Sequence, residues 1–416
     1  MTKSKLSGNA KWLDRRTPPH VITLVLLASI SALNMNIFLP SLPGMAAYFN
    51  ADYGLMQLAI SAYLGITAVL QLIIGPLSDR FGRRPVLLWA LTIFLLATLG
   101  CILSPNVETF LMFRMVQGSV AAGMVLSRAI VRDMVEPSEA ASMIGYITMG
   151  MSLVPMLGPV LGGYLDQTFG WQSSFSLVLI FGAGVLLLMW ADLGETNAQK
   201  SSSFGAQFRA YPELIRSRRF WGYALSAAFA SGAFFAFLGG APFVATVVLG
   251  LDPAQMGLYF VFISLGYMMG NFVAGRYSKL IGLNRMMLLG SMVAAGGMVI
   301  AIVLFLIGLQ HPISFFGTIA FVGVGNGMTL PNANAGIVSV RPHLAGSASG
   351  LGGAVMIGGG AALSAITGAL LTVETGAYPL LFMMLGSSLL AVATSGYVMY
   401  VARKAGELGE NVAEKA

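Results

Sequence analysis

Residues 75–85 read Gly75-Pro76-Leu77-Ser78-Asp79-Arg80-Phe81-Gly82-Arg83-Arg84-Pro85. This charged passage lies between two long apolar runs, 53–75 and 85–104. Gly and Pro permit a tight reversal, while one Asp and three Arg cannot enter hydrocarbon cheaply. The passage therefore reads as a loop at a membrane edge, joining two spans. The rest of the chain agrees. Its 416 residues are 56% hydrophobic and only 9% charged, against about 25% charged in a soluble domain. Mean hydropathy is +0.80. So little polar surface cannot cover a water-soluble globule, which excludes a soluble enzyme.

A membrane helix needs about 20 mainly apolar residues. Twelve runs qualify, labelled α1 to α12 in chain order: 20–47, 53–75, 85–104, 107–132, 139–166, 171–193, 219–249, 254–276, 285–308, 312–339, 344–372 and 376–402. The expected fold is all-α, with twelve transmembrane helices in two six-helix halves. A half at 1–195 and another at 219–416 flank a polar linker, 196–218, that holds Ser201, Ser202 and Ser203. No cleavable signal peptide is evident, because the first apolar run starts late and is too long.

Charge then orients the chain. With both termini cytoplasmic, the outward segments near 48–52, 104–108, 166–171, 249–253, 309–312 and 373–377 contain no Lys or Arg. Of the 23 basic residues, 22 fall in or beside the inward segments, and Arg114 alone sits in the middle of a helix. This is the positive-inside distribution. The net charge of +7 is thus an orientation signal, and no nucleic-acid partner is expected. A single cysteine, Cys101, and three scattered histidines offer neither a disulfide framework nor a metal site, and no cofactor is expected.

A shift of 200 residues superposes Gly75 on Gly275, Ser78 on Ser278, Gly82 on Gly282, Gly123 on Gly323, Gly150 on Gly350 and Gly158 on Gly358. Such a 6+6 repeat with a midplane site is a common plan for secondary transporters. The loop at 75–85, of the form G-x-L-x-D-R-x-G-R-R, resembles the signature of the major facilitator superfamily. The resemblance implies alternating access, with the two halves rocking about a central site. It also implies a conformational latch made by Gly75, Asp79, Arg80, Gly82, Arg83 and Arg84. In that latch Asp79 would accept hydrogen bonds from the start of α11 at Pro342-His343, and Asp133 would pair with Arg83. Lys279 replaces Asp79 in the second copy, so the stronger latch is expected in the first half.

Arg114-x-x-Gln117-Gly118 in α4 resembles the superfamily's cavity-lining motif implicated in proton coupling; snorkelling to the interface is the competing reading of this arginine. In α5, Gly150, Pro155, Gly158-Pro159 and Gly162-Gly163 resemble the antiporter motif of drug exporters. Proline bends a helix and glycine admits a close neighbour, and the expected neighbour is α11, rich in Gly346, Gly350, Gly353, Gly358, Gly359 and Gly360. Packing alone explains these glycines equally well. Arg128-Ala-Ile-Val-Arg132-Asp133 and Asn36-Ile-Phe-Leu39-Pro40-x-x-Pro43 narrow the resemblance to the bicyclomycin/chloramphenicol-resistance (Bcr/CflA) branch of drug/proton antiporters. That branch implies a monomer in a bacterial inner membrane. It usually places a buried Asp where this chain has Asn36. An amide cannot titrate, and the helix middles contain no other acid, so proton coupling stays open.

The superfamily lines its cavity with α1, α4, α7 and α10. Here those helices offer Asn34, Asn36 and Phe38; Arg114, Gln117 and Met124; Phe234, Phe235 and Phe237; and Asn326, Met328, Asn332 and Asn334. Amides on apolar helices are costly without partners, so these form either a polar central site or helix–helix bonds. Met and Phe would suit varied amphipathic ligands, although packing is their commoner role. With one buried cation and no buried acid, neutral or anionic substrates fit better than cations. A Walker A pump is excluded, since the chain lacks a Gly-Lys pair. The expected function is export of small amphipathic molecules; the alternative is a superfamily importer or facilitator without proton coupling.

Overall fold

The computed structural model describes residues 12–135, 154–197, 211–341 and 344–404, with residues 143, 147 and 151 singly. Every regular element among them is helical. Eleven helical stretches are long and apolar enough to cross a membrane: Val21–Tyr48 (α1), Tyr53–Phe81 (α2), Arg83–Ile102 (α3), Val107–Val131 (α4), Gln172–Asp192 (α6), Arg218–Val248 (α7), Pro253–Ile281 (α8), Leu283–Leu306 (α9), Pro312–Ser339 (α10), Ser347–Leu370 (α11) and Tyr378–Lys404 (α12). The twelfth span, α5, is described over Val154–Phe169. Backbone groups cannot hydrogen-bond to lipid, so a helix, which satisfies them internally, is the natural way for each run to cross.

The expected reversal at Gly75 is displaced. The helix continues through Gly75 and Pro76 as far as Phe81, and the turn falls at Gly82. There φ is +105° and the backbone N–H donates to Ser78 O at 3.0 Å. Gly282, at φ +89°, donates to Ser278 O at 2.9 Å. Only glycine takes this backbone without strain, so the duplicated sequence produces the same helix stop twice. Helix α1 behaves differently. Regular α-helix stops at Asn36, then a 3-10 turn over Leu39–Ser41 leads into Leu42–Tyr48. Pro40 and Pro43 lack the N–H groups that would continue the ladder.

The chain divides into two compact units, Met1–Ala206 with Leu251–Val261, and Gln207–Gly250 with Phe262–Ala416. The division departs from the expected 1–195 and 219–416 in two places. The linker is shared between the units, and the first turns of α8 belong with unit 1. They do so because Gly257 lies directly on Pro159 O, and Gly163 of α5 directly on Pro253 O. The apolar interior of unit 1 is formed by Leu24, Leu27, Leu87, Leu91, Phe94, Leu126, Val178 and Met189 from α1, α3, α4 and α6. Trp89, Ile180 and Leu187 on the same helices are largely exposed, as lipid-facing side chains should be.

In unit 2, α8 and α10 touch backbone to backbone. Gly266 and Gly270 rest on Ala320 O and Val324 O, while Gly323 and Gly327 rest on Ile263 O and Tyr267 O. A side chain on any of these four would hold the helices apart, which is the small-xxx-small logic of membrane helix pairs. Gly290 and Gly325 do the same for α9 and α10.

Candidate functional site

At the charged loop, Arg83 Nη1 pairs with Asp79 Oδ1 at 2.6 Å across the Gly82 turn, and Arg83 Nε with Asp133 Oδ2 at 3.0 Å. Arg83 Nη1 also donates to the Ser78 hydroxyl. Arg84 takes another route, donating from Nε to Leu193 O at 2.8 Å and from Nη2 to Trp190 O at 3.3 Å. Arg80 stands over the Phe81 ring at 5.4 Å. The start of α11 at Pro342-His343, expected as the partner of Asp79, lies outside the described residues, as do Gly150 of α5 and Ser201–Ser203 of the linker.

Sequence reasoning missed the residue that organises this loop. The Glu195 carboxylate accepts from Arg83 N at 2.9 Å and from Arg84 N at 3.3 Å. It thereby caps the N-terminus of α3, where unpaired N–H groups and the helix dipole favour an anion. Any Cβ at Gly82 would collide with this carboxylate, whereas a Cβ at Gly282 would meet open space. The same tail supplies Thr196, whose hydroxyl donates to Asp133 Oδ2 at 3.4 Å, and Asn197, which donates to Asp79 O at 3.0 Å. Asp192, fully buried, accepts from Leu13 N at 2.8 Å, His20 N at 2.9 Å and Thr23 Oγ1 at 2.6 Å. Arg15 stacks 3.9 Å over Trp190. A carboxylate directly after an apolar run on the basic side was the available signal for both acids.

Deep in unit 1, Arg114 is 1% exposed and fully engaged. Nε donates to Ala59 O at 3.0 Å, Nη1 to Asn34 Oδ1 at 3.0 Å and to Gln117 Oε1 at 2.7 Å, and Nη2 to Asn34 O at 3.0 Å. The guanidinium is sandwiched between Phe38 and Tyr63, 4.3 Å from each ring centre. Asn34 Nδ2 reaches the Tyr63 hydroxyl at 3.4 Å, and Gln117 Nε2 donates to Thr98 Oγ1 at 2.8 Å. The snorkelling alternative is overturned, because the side chain is buried and bonded to α1, α2 and its own helix. The early end of regular α1 brings the Asn34 carbonyl to Arg114. No carboxylate takes part among the described residues; carbonyl and amide dipoles and two ring faces hold the cation instead.

The other expected cavity residues divide. Asn36 is buried, and its Nδ2 donates to Ala32 O at 2.7 Å in its own helix; Asn332 does the same to Met328 O at 2.7 Å. Asn326 is buried within α10. Met328 is buried, Met124 half-buried and Asn334 exposed. Phe237 packs 6.4 Å from Phe315 and 6.2 Å from Phe316; Phe234 packs on Phe235, whose ring covers Gly360 of α11. The structure therefore assembles Asn34, Phe38, Arg114 and Gln117 into one cluster and leaves Asn36 beside it on α1.

Within unit 1, the described glycines of α5 lie against α1 and the start of α8. Gly158 faces Asn36 Cβ and Ile37 N at 3.5 and 3.7 Å, Gly162 rests on Ile37 O, and Gly163 on Pro253 O. In α11, Gly352 is met by Ile337, Gly359 by Ala228 and Gly360 by Phe235, while Gly350 has open space beside it. The unwound stretch of α1 explains the choice, since Ile37 has its carbonyl turned towards α5. Pro155 and Pro159 lie on this helix as expected, half-buried and buried.

Comparison with known proteins matches residues 24–365 to the family model of the Major Facilitator Superfamily. The chain is 32% identical over 398 residues to the uncharacterized MFS-type transporter YdgK of Bacillus subtilis, covering 93% of this chain and 96% of that one. It is 28% identical to a chloramphenicol resistance protein of Pseudomonas aeruginosa, covering 76% of each. Among solved structures, a bacterial homolog of the human lysosomal transporter Spinster, inward-facing and occupied, superposes with TM-score 0.69 at 14% identity, covering 92% of this chain and 96% of that one; this is a likeness of fold. With eleven spans and α5 among the described residues and the signature loop in place, this multi-pass membrane protein belongs to the major facilitator superfamily of transporters.

Proposed function

We propose that the protein exports small amphipathic molecules by alternating access, with both termini on the cytoplasmic side of a bacterial inner membrane. The observation that carries this reading is the α5 element Gly158-Pro159-x-x-Gly162-Gly163. Gly158 and Gly162 lie against the unwound part of α1, one helical turn from the buried Arg114 cluster, so a change in α5 reaches the residues around the cation directly. Names among the relatives support the direction, a chloramphenicol resistance protein and the multidrug resistance protein D of Escherichia coli. In the latch reading, Asp79, Arg80, Arg83, Arg84 and Asp133, with Gly75 and Gly82 shaping the turn, hold one conformation. Ligand then shifts the equilibrium only through its differential affinity for the two states.

The cluster of Asn34, Phe38, Arg114 and Gln117 is the proposed substrate or coupling element. Asn36, Met124, Phe235, Asn326, Asn332 and Asn334 are further lining candidates. Its uncompensated positive charge favours neutral or anionic cargo. A second reading, a facilitator without proton coupling, is favoured by Asn36, whose amide is tied to Ala32 O and carries no exchangeable charge. Resistance profiling of an expressing strain against a drug panel tests export, and a panel with no shifted susceptibility would end that reading. Proteoliposome transport under an imposed pH gradient separates the two readings: a response supports antiport through another carrier, and none supports facilitation. An Asn36→Asp variant should gain gradient dependence in either case, because an acid at 36 keeps its bond to Ala32 O only while it holds a proton.

A further inference from the structure

The inner ends of α7 and α12 enclose a cleft of about 320 Å³ lined by Arg218, Tyr397, Tyr400, Val401 and Lys404, at the small end of the ~300–1,000 Å³ of ligand sites. We propose that this cleft binds the headgroup of an anionic phospholipid from the surrounding membrane. Residues 397, 400, 401 and 404 follow the i, i+3, i+4, i+7 spacing of one helix face, so α12 presents a stripe of two phenols and one ammonium. Arg218, at the first turn of α7, brings a guanidinium to the same opening. None of the lining side chains is acidic, and among the described residues neither Arg218 nor Lys404 forms an ion pair.

Chemistry selects the occupant. An arginine fork and a lysine ammonium together suit a phosphodiester, the fork bidentately and the ammonium as a point charge. Tyr397 and Tyr400 are 44% and 62% exposed, and tyrosine is an interfacial residue with an apolar ring for the acyl chains and a hydroxyl for the headgroup. Basic pockets between membrane helices on the inner side are where anionic headgroups dock. The cleft lies within unit 2 and is separate from the Arg114 cluster, so the proposal rests on the inward placement of the basic residues and not on any substrate.

The test is native mass spectrometry of the full-length protein, titrated with phosphatidylglycerol, phosphatidylcholine or free glycerol phosphate. Each cation near an anionic surface is worth roughly fivefold in affinity. Arg218→Gln with Lys404→Gln should therefore weaken phosphatidylglycerol binding roughly 25-fold and phosphatidylcholine, whose phosphodiester charge is cancelled by its own ammonium, by much less. Arg285→Gln, an exposed cation at the start of α9, should change either lipid by less than about twofold. Tyr400→Ala should weaken the lipid and leave glycerol phosphate as poor a ligand as before. Undiminished phosphatidylglycerol preference in the double variant would overturn the site. So would an equal loss in Arg285→Gln, or displacement of the lipid by free glycerol phosphate at equal concentration.

Discussion

Replacing Gln117 by Leu should destabilise unit 1 more than replacing Gln117 and Arg114 together. The argument starts from the guanidinium, 1% exposed, whose Nη1 donates to Gln117 Oε1 at 2.7 Å. Leucine matches the volume of glutamine but accepts nothing. A hydrogen bond to a charged group contributes about 1.5–3 kcal/mol, and a buried N–H left without an acceptor costs a further 1–3 kcal/mol or so. The other end of Gln117 adds little, because Thr98 keeps its own bond to Phe94 O at 2.7 Å. Remaining contacts partly relax towards the gap, so a net loss of about 2–4 kcal/mol is expected. In Arg114→Met/Gln117→Leu the charge itself is gone, and replacing a buried charged group with apolar volume is commonly neutral or better. What remains is the Asn34 side chain, which still reaches Tyr63 at 3.4 Å.

Cys101 provides the assay. It is the chain's single cysteine and is fully buried in α3, so a thiol-reactive fluorophore reports opening of unit 1 with no engineered cysteine. For a unit of about 200 residues, 1 kcal/mol shifts the midpoint by roughly 2–4 °C. Gln117→Leu should then label about 4–16 °C below wild type, and the double variant should recover at least half of that loss. If the two substitutions simply add, the cost belongs to packing and the account of Arg114 as a dipole-held cation is wrong.

Three further outcomes follow from named contacts. Glu195→Gln removes the charge from the cap on Arg83 N and Arg84 N, which at about 1–2 kcal/mol should speed amide exchange at residues 83 and 84 by roughly tenfold; unchanged exchange would show that the amide caps equally well. Gly162→Val should abolish transport and lower the yield of folded protein, since its side chain would occupy the position of Ile37 O, whereas Gly184→Ala faces open space and should behave as wild type in the same dye-uptake assay. Gly270→Val, pressed against Val324 O, should cost about 3 kcal/mol or more in thermal unfolding, while Gly275→Ala, with nothing within 4 Å, should be neutral or slightly stabilising; equal effects would refute the backbone contact of α8 with α10.

Much of the architecture was legible because the bilayer imposes it. Apolar runs about 20 residues long have one economical structure in lipid, so the spans at 107–132 and 312–339 agree with the observed Val107–Val131 and Pro312–Ser339 to within a residue. The ends of α2 and α8 were misjudged by five or six residues, because charged side chains on a final helical turn look like loop in a hydropathy reading. Gly82 and Gly282, where φ turns positive, were the better markers. The cluster around Arg114 was half legible. A lone cation in an apolar helix announces that it needs partners, and Asn34 and Gln117 could be named, yet Ala59 O and Asn34 O could not. Backbone carbonyls have no sequence signature; that of Asn34 becomes available where regular α1 ends, and that of Ala59 lies in the first turn of the long helix of α2. Helix pairing was the least legible, since every glycine-rich face is sterically open to every other. The choice of α1 and the start of α8 for α5 was made by which carbonyls stand proud of their helices.

The two halves share a repeat but not its chemistry, and the difference locates where each is rigid. The loops at Gly82 and Gly282 close in the same way, yet among the described residues only the first is filled by a carboxylate, from a chain segment that has just left α6. Within unit 1, α2 and α4 are joined through Arg114, whose bonds to Ala59 O, Asn34 and Gln117 are directional and can be exchanged for others as helices slide. Within unit 2, their counterparts α8 and α10 are joined by four glycines in contact with backbone oxygens, an arrangement with no adjustable side chain in it. A polar cluster can hold two arrangements of nearly equal energy, whereas close backbone packing has one. Rearrangement on ligand binding should therefore be concentrated around α1, α4 and α5, with α8–α10 moving as a block. Hydrogen exchange with and without a transported drug would reveal this as changed protection in residues 34–41 and 154–163 but not in 320–330. Altered protection confined to 320–330 would place the adjustable element in the wrong half.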